Sequence, residues 1–323
     1  MVTTLTANQK KQEQAAPLLA IQKLTVSFPF GAEAAVDEAS LEVISGLDLT
    51  VQAGEILAVA GSSGSGKSLL AHAIMGLLPA TACQSGSIFY RGQKLTDEGC
   101  RRLRGRAIGL IPQGIDSLDP LMPAGRQLLG TAKRTPALQA EAEKILQRLG
   151  LSPAVKKLYP FQLSGGMARR LLFATAALSE ADLMIADEPT PGMHLDQALE
   201  ALTILKEWRD QGKAVILITH DIDLAAEFAD HLAIFYAGSI LEVLPARDFL
   251  NRPENLRHPY TKALRQALPQ YEFTALPGVQ PYAGNLPSGC LFADRCPVAR
   301  PDCRSCRPEM RSVGTGFVRC FYA

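Results

Sequence analysis

What this sequence has little of already narrows it. Aromatic residues make up 6%, tryptophan occurs once, and no internal repeat or low-complexity tract is present. Charge of one sign is missing as well: 33 Lys plus Arg against 32 Asp plus Glu leave +1. No global field therefore favours nucleic acid or an anionic membrane surface, and such a partner would need a local patch or a shaped contact. The longest stretch free of charge, Ser68 to Tyr90, is broken by His72, Pro79, Gln84, Ser85 and two glycines, unlike a membrane span of some ~20 apolar residues. Met1 to Ala16 has no apolar core of a secretory signal, and residues 1–17 are expected to form a disordered tail in the cytosol.

What is present fits a folded interior. Hydrophobic residues at 47% and charged residues at 20% exclude a wholly disordered chain, and 323 residues suggest about two domains. The first two-thirds alternates short aliphatic runs with longer helical patterns, the signature of an α/β domain with a mostly parallel sheet. Ile56 to Ala60, Leu183 to Ala186 and Ala214 to Ile218 are continuously apolar, as strands covered on both faces are. Each is followed by a glycine or polar group, so Gly61, Asp187 and His220 should gather at the carboxyl edge where ligands bind. The amphipathic helix Leu138 to Leu149 lies between the first two runs, and the long connection predicts an inserted, mainly helical subdomain over about 114–181. After His231 the pattern weakens. From Pro245 onward repeated prolines predict a loop-rich appendage.

Gly61-Ser62-Ser63-Gly64-Ser65-Gly66-Lys67-Ser68 matches G-x-x-x-x-G-K-[ST] between an apolar strand and a helix closed by Pro79. Such a loop turns backbone N–H groups inward as an anion nest at a helix N-terminus, with Lys67 reaching the terminal phosphates and Ser68 on Mg²⁺. A chance match is on the order of one per cent for a chain of this length, given glycine near ~7% of residues. Asp187 and Glu188 end the second strand. Asp187 is placed to hold hydrated Mg²⁺ and Glu188 to orient or deprotonate an attacking water, which favours ATP hydrolysis over storage. His220 is placed to meet the γ-phosphate, and Gln113 to touch Mg²⁺ or its water.

Leu163-Ser164-Gly165-Gly166-Met167 completes the set, and with it the sequence resembles an ATP-binding cassette ATPase over about Leu18 to Pro245. The resemblance implies a P-loop NTPase cassette, with a mostly parallel core sheet, an antiparallel β part and an inserted helical subdomain. It implies ATP and Mg²⁺, with Ser68, Gln113 and Asp187 around the metal and Glu188 and His220 catalytic. Phe28, with Phe30 as competitor, falls at the aromatic position that stacks on adenine. Ser164, Gly165 and Gly166 would contact the ATP held by an opposite subunit. Two departures stand out: Met167 replaces the usual Gln, and His194 takes the usual Asp position of the D-loop, with Asp196 two residues on.

His258-Pro259-Tyr260, Gly289 to Cys296, Cys303 and Val318-Arg319-Cys320 resemble the C-terminal extension, here 246–323, of oligopeptide, dipeptide and nickel importer ATPases. That resemblance implies import of peptides, or of nickel or a metal chelate, at the cytoplasmic face of the membrane. The implied partners are a second, different ATPase subunit, two membrane-spanning permeases and an extracytoplasmic binding protein, this chain resembling the first of the two ATPases. Cys290, Cys296, Cys303 and Cys320 admit three readings: disulfides, zinc or an iron–sulfur cluster. A reducing cytosol disfavours the first, and the resemblance implies a [4Fe–4S] cluster with Cys306 spare. A soluble cassette ATPase acting on nucleic acid or the ribosome is the rival class, but it carries two cassettes or a long coiled coil. No Asn-Lys-x-Asp guanine-reading tetrad occurs.

Overall fold

The computed structural model describes residues 16–29, 40–62, 64–130 and 134–323. The expected tail, apart from its last two residues, lies outside them, as do Phe30 and Ser63.

The chain begins with β1 (Leu19–Pro29) and β2 (Ser40–Val51), an antiparallel pair, before β3 (Ile56–Ala60) and α1 (Lys67–Met75). Helix α1 stops at Gly76, whose φ of 62° gives the left-handed cap that a residue with a Cβ resists. Next come β4 (Cys83–Tyr90), β5 (Gln93–Lys94), α2 (Asp97–Leu103) and β6 (Ile108–Ile111). Thr96 caps α2 by accepting from the Gly99 N–H. The segment up to the second long strand is helical: α3 (Ala124–Leu129), α4 (Pro136–Arg148) and α5 (Gly165–Ala177). Thr135 caps α4, which carries Pro136 at its first turn, where no N–H is missed.

Strand β7 (Leu183–Asp187), α6 (Leu195–Asp210), β8 (Ala214–Thr219) and α7 (Ile222–Phe228) complete the α/β alternation. Beyond His231 the sequence pattern weakens, yet β9 (His231–Tyr236) and β10 (Ser239–Pro245) are regular strands. Both are buried almost throughout, so they lack the polar alternation by which a half-exposed strand is read. The C-terminal part adds α8 (Ala246–Asn251), α9 (Pro259–Gln266), α10 (Pro301–Ser305) and the hairpin β11 (Arg311–Val313) and β12 (Gly316–Val318).

Among the described residues, the strands form two sheets. One is antiparallel in the order β2-β1-β4-β5; the other has eight strands in the order β11-β12-β10-β9-β3-β8-β7-β6. From β9 to β6 the pairing is parallel, and the last hairpin joins the β10 edge antiparallel. The prolines make the C-terminal part loop-rich, but the hairpin continues the central sheet instead of hanging from it. Two apolar layers follow. Leu19, Ile21, Ile44, Leu57, Val59 and Ile74 fill the space between the sheets and α1. Phe173, Trp208, Leu217, Ile234, Phe249 and Phe292 pack on the other face with the helices. No helix among the described residues is long and apolar enough to cross a membrane.

Candidate nucleotide site

Parallel pairing aligns β3, β8 and β7, with Ala60 opposite Thr219 and Ile218 opposite Asp187. Gly61, Asp187, Glu188 and His220 therefore emerge at one edge. A Cβ at Gly61 would lie 2.3 Å from the Phe235 carbonyl oxygen, and one at Gly66 would lie 2.9 Å from that of Val43. The backbone of the loop is thus wedged between β9 and β2, and Gly66 also takes φ 104°. Gly64, at φ 73°, faces open space.

Lys67 is buried, and its ammonium donates to the carbonyls of Gly61 and Ser62, each at 2.8 Å. An ammonium has three donors, so one is left for an incoming phosphate. Burial pushes its pKa down, while the Glu188 and Asp187 carboxylates pull it back up. Ser65 donates to the Ser62 carbonyl at 2.7 Å.

Asp187 is almost fully buried and its Oδ1 has no partner. Burial raises its pKa, and a hydrogen bond with Ser68 is the main opposing influence. An unpartnered buried carboxylate oxygen beside a serine hydroxyl is a donor set suited to a hard cation.

Glu188 follows with φ 47°, a left-handed backbone on a residue with a Cβ. Its N–H donates to the Ile218 carbonyl at 2.9 Å, which fixes the turn. His220 Nδ1 stands 2.8 Å from Oε1, and the Thr219 hydroxyl lies 3.5 Å from Oε2. A carboxylate accepts from a ring N–H, so Nδ1 is the donor side of this contact and Nε2 lies on the solvent side. The His220 side chain is 54% exposed and that of Glu188 8%.

The remaining residues singled out from the sequence lie around this edge or on other elements. Gln113 is exposed just after β6. Phe28 pairs opposite Leu41 and packs partly into the core between the sheets. Ser164 caps α5 by accepting from the Met167 N–H at 3.3 Å, leaving Ser164 and Gly165 exposed at the helix start. His194 is the residue before α6, with Asp196 in its first turn.

Sequence spacing did not single out Arg169 for a contact. Its guanidinium donates to the Pro191 carbonyl at 2.5 Å and to that of Gln113 at 3.1 Å, tying the β6 exit to the turn before α6. Arg169 lies within a turn of the Ser164-Gly165-Gly166 motif, yet spacing does not announce its partners; only the fold brings both carbonyls within its reach.

In the C-terminal part, Cys290, Cys296, Cys303 and Cys320 border one cavity together with His258 and Phe292. Gly289 lets the chains close: a Cβ there would lie 2.3 Å from the Cys303 carbonyl oxygen. Burial pushes the Cys290 thiol up to about 11 and raises that of Cys296. Cys306 is exposed and turned to the Asp302 carbonyl. All seven cysteines are free thiols. Among the described residues no three His, Cys, Asp or Glu side chains are arranged to hold a single metal ion.

A phosphate-binding loop on β3, two carboxylates ending β7 and a histidine after β8, beside a capped helix carrying Ser-Gly-Gly, define a nucleotide-binding cassette of the ABC type. Residues 44–191 match the ABC transporter family, and residues 241–303 match the C-terminal region of oligopeptide/dipeptide transporters. The probable D,D-dipeptide transport ATP-binding protein DdpD of Escherichia coli is 33% identical, covering 94% of this chain and 95% of the relative. The oligopeptide transport ATP-binding protein OppD of Salmonella typhimurium is 34% identical, covering 98% and 96%. OppD of Mycobacterium bovis is 33% identical over 93% of this chain but 50% of its own length, so the chain spans about half of that relative. In fold, the dimeric structure of a bacterial ABC transporter cassette superposes with a TM-score of 0.62 at 24% identity, over 71% of this chain and 99% of that one. The chain belongs to the ATP-binding proteins of the oligopeptide/dipeptide branch of ABC transporters.

Proposed function

We propose that this chain binds and hydrolyses ATP to power peptide import through membrane-spanning partners. The observation that carries the reading is the convergence of Lys67, Asp187, Glu188 and His220 at the ends of three adjacent parallel strands. The names of the relatives point to oligopeptides and dipeptides, so peptides, and not nickel, are the cargo proposed. Nothing among the matched families or relatives points to nucleic acid.

In this reading the phosphate loop, residues 61–68, wraps the β- and γ-phosphates with its N–H groups, and Phe28 stacks on adenine. The free donor of Lys67 meets the γ-phosphate. Ser68 and Asp187, joined by Gln113, would hold Mg²⁺, which would offset phosphate charge. Glu188 takes a proton from, or orients, the attacking water, and His220 keeps that carboxylate in place through Nδ1–H while Nε2, when it also carries a proton, donates to the γ-phosphate. Ser164, Gly165 and Gly166 complete the site of a second cassette, which places a helix N-terminus against its γ-phosphate. That second cassette is a different subunit, and the pair sits beneath two permeases at the cytoplasmic face, with an extracytoplasmic binding protein delivering cargo. Coupling runs through the Gln113 segment and the helices over about 114–181.

The four cysteines are read as ligands of a [4Fe–4S] cluster. One observation supports it: the four border one cavity. The cluster would staple a proline-rich segment, and its binding would draw protons from thiols, those of Cys290 and Cys296 being held up by burial.

The test is reconstitution with the permeases and second ATPase in vesicles. ATP-driven peptide uptake should stop with Lys67→Ala in this chain. Undiminished uptake would refute the proposal.

A further inference from the structure

Ser62 is the point on which the phosphate loop closes. Its carbonyl accepts from both Lys67 and Ser65. Its hydroxyl, however, leaves the cassette: it donates to Gln280 Oε1 at 3.0 Å, a residue more than two hundred positions away in the C-terminal part. Gln280 is half-buried and sits on a segment anchored at both ends. On one side Arg295 donates to the carbonyls of Pro277 at 2.9 Å and Leu276 at 3.2 Å, and to the Tyr236 hydroxyl at 3.2 Å. On the other, the Glu42 N–H of β2 donates to the Ala283 carbonyl at 3.0 Å. Gly278 turns the chain between them at φ 76°. Both anchors reach strands that also wedge the phosphate loop: Tyr236 follows Phe235 on β9, and Glu42 precedes Val43 on β2. The segment is therefore held against the loop rather than resting there by chance.

We propose that the C-terminal part supplies a wall of the nucleotide site, with Gln280 as a positioning residue that fixes the phosphate loop through Ser62. The inference rests on the nucleotide-site reading above. It also gives the C-terminal part a role at the site: Arg295, next to Cys296 in the chain, holds the carbonyls of Leu276 and Pro277, a few residues before the Gln280 that meets Ser62.

The experiment measures Mg-ATP affinity of the full chain with a fluorescent ATP analogue, alongside KM and kcat in the reconstituted transporter. Gln280→Ala should weaken binding about fivefold, the worth of one hydrogen bond, and raise KM more than it lowers kcat. Ser62→Ala should cost a similar factor, and the double variant no more than either single one, since both remove the same bond. Gln280→Glu keeps the acceptor but sets a negative charge beside the phosphates, so it should bind ATP more weakly than Gln280→Ala, with the difference shrinking at high salt. Unchanged affinity in Gln280→Ala, additive losses in the double variant, or a salt-independent Gln280→Glu would each overturn the proposal. Lys67→Ala separates the two claims: if it too leaves ATP binding intact, the nucleotide-site reading is what has failed.

Discussion

Replacing Glu188 separates two properties that the fold places on one residue. Its backbone is held at φ 47°, which costs a residue with a Cβ about 1–2 kcal/mol. Its carboxylate, buried against His220 at 2.8 Å, is the proposed base. Glu188→Gln keeps shape and hydrogen bonding but removes the proton acceptor, so phosphate release should fall by about 10²–10⁴-fold while ATP is still bound and the closed pair of cassettes is favoured. Glu188→Ala retains the backbone cost; Glu188→Gly removes it, offset by about 0.5–1 kcal/mol for glycine's greater freedom when unfolded. The glycine variant should therefore be more stable than the alanine variant by about 0.75 kcal/mol, the difference of the two mid-range values, the reverse of the order in a helix interior. Urea unfolding of the nucleotide-free chain reads this through Trp208, the single tryptophan, buried against Phe173. An alanine variant as stable as the glycine one would refute the strain argument, and phosphate release within tenfold of wild type in Glu188→Gln would remove Glu188 from catalysis.

Asp187→Asn should bind ATP without dependence on Mg²⁺, yet the nucleotide-free protein should be more stable than wild type at neutral pH. Burial raises the carboxyl's pKa above 3.8 in the folded state, so its ionisation opposes folding, and the gain should vanish as pH falls through that value in an acid titration of unfolding. His231 runs the other way. Its hydrogen bond with Glu55, 2.8 Å long, raises the imidazole pKa above 6.5. That stabilisation is complete below 6.5 and is lost as pH rises through the folded value, so His231→Gln should cost stability at about pH 6 and progressively less above it. A pH-independent difference would exclude the pair as its source. Anaerobically purified protein should be brown with stoichiometric iron, and Cys303→Ser should lose the colour; zinc without iron would sink the cluster reading.

The phosphate loop, the strand that ends in Asp187-Glu188 and the capped α5 were legible because each is local: a few consecutive residues fix both the backbone and the chemistry. The strands β9 and β10 were not, since burial on both faces erases the alternation that marks a strand. The cysteine cluster was half legible. Its crowding is visible along the chain, but that four of five line one cavity while Cys306 turns away depends on where Gly289 lets the Cys303 backbone of α10 approach.

By itself, the sequence determined the class of chemistry, because G-x-x-x-x-G-K-S, Asp187-Glu188, His220 and Ser164-Gly165-Gly166 each need only their own neighbours to acquire a role. The tertiary structure alone decided which distant groups meet them. Arg169 reaches two carbonyls on separate loops, and Gln280 reaches Ser62 from the C-terminal part. Such contacts join residues far apart in the chain, with no periodicity or spacing to announce them, and they exist only once the sheet has set its strand order.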